Sequence, residues 1–486
     1  MTSTRPAAVI VLAAGGGTRM RSSTPKVLHP IGGRTLLGHV LRAARESGPD
    51  HVVVVVRRDR DRVAAHVAEV DPDAIIADQD DIAGTGRATE CGLGALPEGV
   101  TGTVIVTVAD APLLTADTLA ELATRHAEVD GEITVVTASL DDPTGYGRIL
   151  RDADGAVVGT VEERDATPEQ RLGTEVNSGL YAFDAATLRD ALHQVGTDNA
   201  QAEKYLTDVL GVVHAKGGRI RTHAIGDSWQ TEGVNDRVQL ARLGAELNRR
   251  VVERWMRAGV TVVDPATTWV DVDVALGRDV TIRPHTQILG ASTIGDDVTL
   301  GPDTTLTDVE IGAGASVVRT QATLAVIGAG ASVGPFAYLR PGTRLGADGK
   351  IGGFVETKNA VIGAGGKVPH LSYVGDADIG EGTNIGAGTI VANYDGVAKH
   401  RTSIGAHCRT GANNTFVAPV AVGDGAATGA GAVVRRDVPP GALAVTTGPQ
   451  RHILDWVRRR RPGTAAARAA EQAQRTEQPT PGREQE

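Results

Sequence analysis

The stretch from Ile327 to Glu356 reads IGAGAS, VGPFAY, LRPGTR, LGADGK, IGGFVE. An aliphatic residue heads each group of six, and glycine often follows it. The pattern returns as IGAGGK from Ile362, VPHLSY from Val368, IGEGTN from Ile379 and IGAGTI from Ile385. Weaker versions cover IGDDVT and LGPDTT (294–305) and AVGDGAATGAGAVV (421–434). A six-residue period sustained over consecutive groups is the mark of a parallel β-helix. Each group forms one face of a triangular coil, its aliphatic residue points inward, and small residues permit the corner. The 61 glycines among 486 residues, about one in eight against an average near 7 %, fit a repeat of this kind.

Upstream the pattern is different. Over 7–225, apolar runs VIVL (9–12), VVVVV (52–56), TVIVTV (103–108) and ITVVTA (133–138) read as buried strands, with helical stretches such as Thr35 to Glu46 and Thr115 to Glu128 between them. Buried strands alternating with helices imply a mostly parallel sheet covered on both faces. Between the two regions, Leu240, Leu243, Leu247, Val251 and Trp255 recur at helical spacing, and Gly259 is a natural stop. The expected layout is therefore an α/β domain over 1–234, a linker helix over 235–258, a β-helix over 259–457, and a disordered tail over 458–486, which lacks an apolar period.

A net charge of −10 argues against general nucleic-acid binding. Two cysteines, Cys91 and Cys408, are no disulfide framework and fit a reducing cytoplasm. The early run AAVIVLAA reads as a first strand rather than a signal-peptide core, because it continues into GGGTRM without a processing site. No apolar run reaches 18 residues, so no membrane span is expected.

The loop after the first strand, VLAAGGGTRMRSSTPK (11–26), lies at the carboxyl end of the sheet, where α/β folds bind ligands. Its glycines let backbone N–H groups approach phosphate oxygens. It lacks the dinucleotide spacing G-x-G-x-x-G, and no G-K-[ST] follows to make a P-loop. AGTGRA (83–88) is a second glycine-rich loop entering a helix, and TVIVTVAD ends a buried strand in Asp110. With Arg19 and Lys26 in the same loop, these point to a metal-assisted phosphate site.

LAAGGGTRMRSSTPKVLH is similar to the signature of sugar-nucleotide pyrophosphorylases. More narrowly, the chain to about residue 455 resembles the bifunctional bacterial N-acetylglucosamine-1-phosphate uridyltransferase / glucosamine-1-phosphate acetyltransferase family. Matching elements are GTG (84–86), GYGRI (145–149), VEERDAT (161–167), EVNSGLYAF (175–183), NAQAEKYLTD (199–208) and EGVNDRVQLA (232–241). The resemblance implies an α/β-plus-β fold: a Rossmann-like nucleotidyltransferase domain, the linker helix, and a left-handed parallel β-helix of hexapeptide repeats. It implies that the backbone at Leu12, Ala13, Ala14 and Gly15 holds UTP, that Gln79, Gly84 and Thr85 read the uracil, and that Gly147, Glu162 and Asn177 hold N-acetylglucosamine. Asp110 and Asn235 would coordinate Mg²⁺, while Arg19 and Lys26 neutralise the phosphates. Asn235 has a second reading, as the cap of the linker helix. The sugar 1-phosphate attacking the α-phosphorus of UTP is already an anion, so the chemistry needs charge neutralisation and positioning rather than a strong base.

The coil carries polar residues that its period does not require: Arg340, Lys358, His370, Tyr373, Asn384, Asn393, Tyr394 and Lys399. Three cations and a histidine within some sixty residues suggest a site for an anionic sugar. The resemblance implies that Arg340, Lys358, Tyr373 and Lys399 hold glucosamine 1-phosphate, with Asn384 and Asn393 nearby. His370 would be the general base, since a histidine with pKa near ~6.5 can take a proton from the substrate amine at neutral pH. Glu356 is the candidate to orient it. Acetyl-CoA would lie along Ala387, Asn393, Tyr394, Ala412 and Ala430, in a homotrimer whose acetyl site falls between subunits. The implied product is UDP-N-acetylglucosamine, a precursor of peptidoglycan.

The chain departs from the family pattern at several positions. Ala109 precedes Asp110 where glycine is usual. Lys204 replaces an aromatic, Tyr338 an arginine, Ala412 a serine, and Thr447–Gly448 an arginine placed against CoA phosphates. Arg451 or the basic run 458–461 are candidates for that missing cation, and Trp456 either stacks on adenine or packs. Two other readings compete: a single-activity nucleotidyltransferase whose coil only regulates or oligomerises, and a non-enzymatic subunit of a nucleotide-exchange factor. The retained His370 and coil cations speak against the first, and Lys26 with Asp110 against the second.

Overall fold

The structure, a computed structural model, describes residues 5–128, 132–199, 201–446 and 448–477. Thr447 and the final stretch 478–486 lie outside the described residues. Strand Ala8–Leu12 is the centre of the α/β sheet, paired in parallel with His51–Val56 on one side and Thr103–Val108 on the other. β-branched residues dominate these runs, which suits strands covered on both faces. The main path of this nine-stranded sheet is Ile220–Ala224, Ile133–Ser139, Glu175–Asp184, Thr103–Val108, Ala8–Leu12, His51–Val56, Ile75–Asp78, with Arg148–Arg151 and Val157–Val161 off it. Glu175–Asp184 runs antiparallel to Ile133–Ser139, Thr103–Val108 and Arg148–Arg151, and Arg148–Arg151 antiparallel to Val157–Val161; the other pairings are parallel.

The linker helix is Arg237–Arg257. Its two halves serve different cores. Leu243 packs with Met20, Ile31 and Leu36 of the α/β region, whereas Val251 and Val252 join the apolar core of the coil and close its first turn. Beside it the tight turn at Gly32–Gly33 docks on the first coil: Val272 N–H donates to the Gly32 carbonyl (3.0 Å), and Arg34 pairs with Asp273 at 2.6 Å.

From Thr261 the chain winds as a left-handed parallel β-helix. Ile282, Leu300, Val317, Val333, Ile351 and Val368 stack in register as one inward row. The glycine after each aliphatic residue has a steric cause. A Cβ on Gly328 would lie 2.5 Å from the backbone nitrogen of Ala347 on the next coil, so a side chain there would force the coils apart. Buried threonines satisfy the corners, as where Thr343 Oγ1 donates to the Arg340 carbonyl at 2.8 Å.

Most of 458–477, expected as disordered tail, is helical instead, with a turn at 461–464. Helices Trp456–Arg460 and Ala465–Glu477 form a hairpin in which Arg458 donates to Asp455 (3.0 Å) and Gln474 (2.8 Å). Alanine content gives this segment intrinsic helicity that an absent apolar period hides. Among the described residues, no helix is long and apolar enough to cross a membrane.

Candidate active sites

Leu12, Ala13, Ala14, Gly15, Lys26, Gln79, Gly84, Thr85 and Asp110 line one cleft of about 620 Å³ at the carboxyl end of the central strands. The strand order brings them together: Ala8–Leu12 pairs with Thr103–Val108, which ends before Asp110, and with His51–Val56, whose outer neighbour Ile75–Asp78 ends before Gln79. Gln79 is buried and donates to the carbonyls of Ile82 (2.8 Å) and Gly84 (3.2 Å), which fixes the turn into the helix Thr85–Gly94. Gly84 has φ +114°, and a Cβ there would lie 2.2 Å from the Lys204 carbonyl oxygen. The segment around Lys204 can therefore close directly onto the loop: Gly86 N–H donates to Lys204 O (2.7 Å), and Lys204 N–H to Ala83 O (2.8 Å).

Lys26 Nζ is ion-paired with Asp110 Oδ2, both largely buried. Arg19 donates to Asn235 Oδ1 at 2.9 Å. Asn235 itself does not cap the linker helix. That cap is Asp236, whose carboxylate accepts from Val238 N–H and Gln239 N–H, each at 2.9 Å. Asn235 adjoins Asp110 through the backbone, where Val234 N–H donates to the Asp110 carbonyl at 2.9 Å. Two hard oxygen donors are thus brought close, each now covered by a cation. Among the described residues no cluster of three or more His, Cys, Asp or Glu could hold a metal. Mg²⁺ takes one or two protein ligands with phosphate oxygens and water, so the pair fits Mg²⁺ and no all-protein cage is needed.

Gly147, Glu162 and Asn177 form an adjoining group. Asn177 N–H donates to Gly147 O at 2.9 Å, and Asn177 Nδ2 to Tyr181 Oη at 2.5 Å. Burial pushes the Glu162 carboxyl above the usual range, with Asp165 and Asp208 adding repulsion and a bond from Thr207 opposing it.

On the coil, Tyr338, Glu356, Tyr373 and Ile390 stack in register, with Lys358 opposite Gly375. A Cβ on Gly375 would lie 2.3 Å from Tyr373 Oη, so the missing side chain makes room for the tyrosine. Asn393 Nδ2 donates to Asp376 at 2.5 Å and reaches Tyr373 Oη at 3.5 Å. The Lys399 ammonium beside Lys358, and then Arg340, hold the Lys358 pKa down. Three cations crowded on one face make a site that an anion relieves. Glu356 does not orient His370: it accepts from Arg340 at 2.8 Å. Among the described residues the exposed His370 imidazole has no hydrogen-bond partner.

His370 leads into a corner column. Gly388 N–H donates to His370 O (3.3 Å), Asn413 N–H to Ala387 O (2.7 Å), and Gly431 N–H to Ala412 O (2.8 Å), with Ala430 next to Gly431. Asn384 lies in the row Lys367, Asn384, Arg409, Ala427, on the face that carries His370. Tyr394 and Lys399 are bridged across the NYDG loop, with Tyr394 Oη donating to Gly396 O at 2.7 Å.

Residues 9–172 match the MobA-like NTP transferase domain. Over nearly the whole chain, similar proteins carry the name bifunctional protein GlmU. That of Kineococcus radiotolerans is 61% identical over 468 residues, covering 96% of this chain and 95% of the relative. That of Pseudarthrobacter chlorophenolicus is 60% identical over 486 residues, covering 100% and 99%. The chain belongs to the GlmU family. It is a bifunctional enzyme of UDP-N-acetylglucosamine synthesis, with a nucleotidyltransferase and an acetyltransferase activity.

Several departures from the GlmU pattern resolve structurally. Ala109 has ordinary backbone geometry, and its methyl is packed in the core rather than crowding the turn. Lys204 is held by Glu90 at 2.9 Å. Trp456 is covered by the Arg461 guanidinium at 5.0 Å. Arg57, Arg58 and Glu203 also line the nucleotide cleft and were missed in the sequence. The signal was there: Arg57–Arg58 directly follow a buried run of valines, at the end of a strand where ligands bind.

Proposed function

We propose that this GlmU-family chain divides its two reactions between the two sites. In the α/β cleft the loop backbone at Leu12–Gly15 cradles the UTP triphosphate. Gln79, Gly84 and Thr85 read the base, and Gly147, Glu162 and Asn177 hold the sugar. A phosphate oxygen of N-acetylglucosamine 1-phosphate attacks the α-phosphorus, and the bond to the pyrophosphate group breaks. Lys26 and Arg19 move from Asp110 and Asn235 onto phosphate oxygens and spread the charge. Asp110 and Asn235 would hold Mg²⁺, which would supply further neutralisation of phosphate charge when bound.

At the coil, Arg340, Lys358, Tyr373 and Lys399 hold glucosamine 1-phosphate, with Asn384 and Asn393 nearby. His370 takes a proton from the amine. The nitrogen attacks the thioester carbonyl of acetyl-CoA, lying along Ala387, Asn393, Tyr394, Ala412 and Ala430, and the thiolate leaves and is reprotonated. The acetylated sugar phosphate then serves the first site. The acting form is a cytoplasmic homotrimer. What supports it is an apolar corner beside His370, where Phe336 (52%), Phe354 (64%) and Leu371 (61%) stand exposed at positive φ.

The observation that carries the reading is the cross-pairing of Lys26 with Asp110 and of Arg19 with Asn235: each phosphate cation rests on an expected metal ligand until substrate arrives. The test is a double dissociation. Lys26→Ala should lose pyrophosphate formation from UTP and N-acetylglucosamine 1-phosphate while still releasing CoA thiol from acetyl-CoA and glucosamine 1-phosphate. His370→Ala should do the reverse, its acetyl transfer falling by roughly 10²–10⁴-fold. Loss of both activities in either variant would refute the division.

A further inference from the structure

Three cations line the nucleotide cleft: Lys26, Arg57 and Arg58. Lys26 is committed to Asp110. Arg57 donates to the Asp81 carbonyl at 2.9 Å. The next arginines along the chain are committed too, Arg60 to Asp78 at 2.9 Å and Arg62 to the Ser23 carbonyl at 2.6 Å. Arg58 alone of the three has no hydrogen bond or ion pair among the described residues.

Although Arg58 is exposed, its side chain lies against the glycine loop. A Cβ on Gly16 would lie 2.9 Å from Arg58 Cδ, 3.1 Å from Nε and 3.3 Å from Cζ. The guanidinium therefore lies across the middle of the glycine loop, in space that a side chain on Gly16 would take. The backbone holds it there. Ala13 N–H donates to Val55 O at 2.9 Å, which fixes the end of strand His51–Val56 beside the start of the loop. Asp59, at φ +50°, then turns the chain sharply into the helix Arg60–Val70. An uncommitted guanidinium folded over backbone that is shaped for phosphate is a fork with no carboxylate to grip.

We propose that Arg58 is a further phosphate-binding residue of uridylyl transfer, holding the β- and γ-phosphates of UTP and the pyrophosphate they become. The inference rests on the reading of the glycine loop as the triphosphate cradle. It assigns Arg58 to the outer phosphates because Lys26 and Asp110 occupy the cleft where the α-phosphorus reacts, and Arg58 lies over the loop itself. Arg58 then makes no contact with the phosphates that remain in UDP-N-acetylglucosamine.

The test uses the full-length chain in both reaction directions. Arg58→Ala should raise KM for UTP, and in reverse KM for pyrophosphate, by about tenfold each, the effect of one lost charge-assisted contact. KM for N-acetylglucosamine 1-phosphate and for UDP-N-acetylglucosamine should not change. Arg58→Lys should recover part of both losses, since it keeps the charge and loses the fork. Arg58→Ala kinetics equal to wild type, beside a Lys26→Ala variant that makes no pyrophosphate, would overturn the Arg58 assignment alone. A rise in KM for UDP-N-acetylglucosamine as well would make Arg58 a prop of the loop and also overturn it. Full activity of Lys26→Ala would overturn the cradle reading and the inference with it.

Discussion

On the proposed reading, Glu162 serves sugar binding at the expense of stability. Burial raises its carboxyl pKa, so the folded chain holds its proton more tightly than the unfolded chain does. The stabilising contribution is full below the unfolded value and is lost as pH rises through the raised folded value. Once ionised, the group is a half-buried carboxylate whose described side-chain partner is Thr207 at 3.5 Å. Glu162→Gln should therefore melt above wild type at pH 8, with the gap closing towards pH 4. The same variant should raise KM for N-acetylglucosamine 1-phosphate by about tenfold, because a charged acceptor for sugar hydroxyls is gone. Equal melting temperatures across the range would refute the burial argument. The identity of Glu162 was legible in VEERDAT, but its strained titration was not. That depends on Asp165, Thr207 and Asp208 closing around it, and no sequence pattern reports such a contact. Glu356 makes the same point: its sequence neighbours include His370's strand, yet the coil register hands it to Arg340.

At the scale of elements, periodicity reads well and ends read badly. The apolar spacing from Leu240 to Trp255 gives the linker helix correctly, and the aliphatic row gives the coil, because both periods are imposed by burial. The helix N-terminus depends on which of Asn235 and Asp236 turns inward. Both are good caps by type, and only the three-dimensional path around Asp110 separates them. The separation can be measured. Asp236→Ala should lower stability by about 1 kcal/mol, the usual cost of a lost N-cap, and leave the Mg²⁺ dependence of pyrophosphate formation unchanged. Asn235→Ala should leave the unfolding free energy within about 0.5 kcal/mol of wild type, since it caps nothing, and shift the Mg²⁺ requirement upward. An exchange of these two outcomes would reverse the assignment. The helical tail was missed for a related reason: an alanine-rich helix forms through intrinsic propensity, and its apolar face is alanine, without the large aliphatic residues that mark a core period.

The whole molecule joins its two sites through rigid packing. The turn at Gly32–Gly33, a few residues beyond Lys26, is pinned to the first coil through Val272 and Asp273, and the linker helix is shared between both cores. One large feature is left over by a single chain. The chain has only four phenylalanines, and two of them stand in solvent, stacked at 5.3 Å with Arg319 over the first of them at 5.8 Å. Positive φ is uncommon for bulky residues, and exposed apolar patches on soluble proteins mark contact surfaces. This corner runs through Leu371 next to His370, so a neighbouring subunit seated on it would wall the acetyl site. Phe336→Asp with Phe354→Asp should therefore lower the mass measured by light scattering to that of one chain. Acetyl transfer should fall at least tenfold, because the wall contributed by the neighbour is gone, while uridylyl transfer, whose cleft lies wholly within one chain, should stay near wild type. A charged variant that keeps both its oligomeric mass and its acetyl transfer would show that the exposed phenylalanines cover nothing, and the acetyl site would then have to be complete within a single coil.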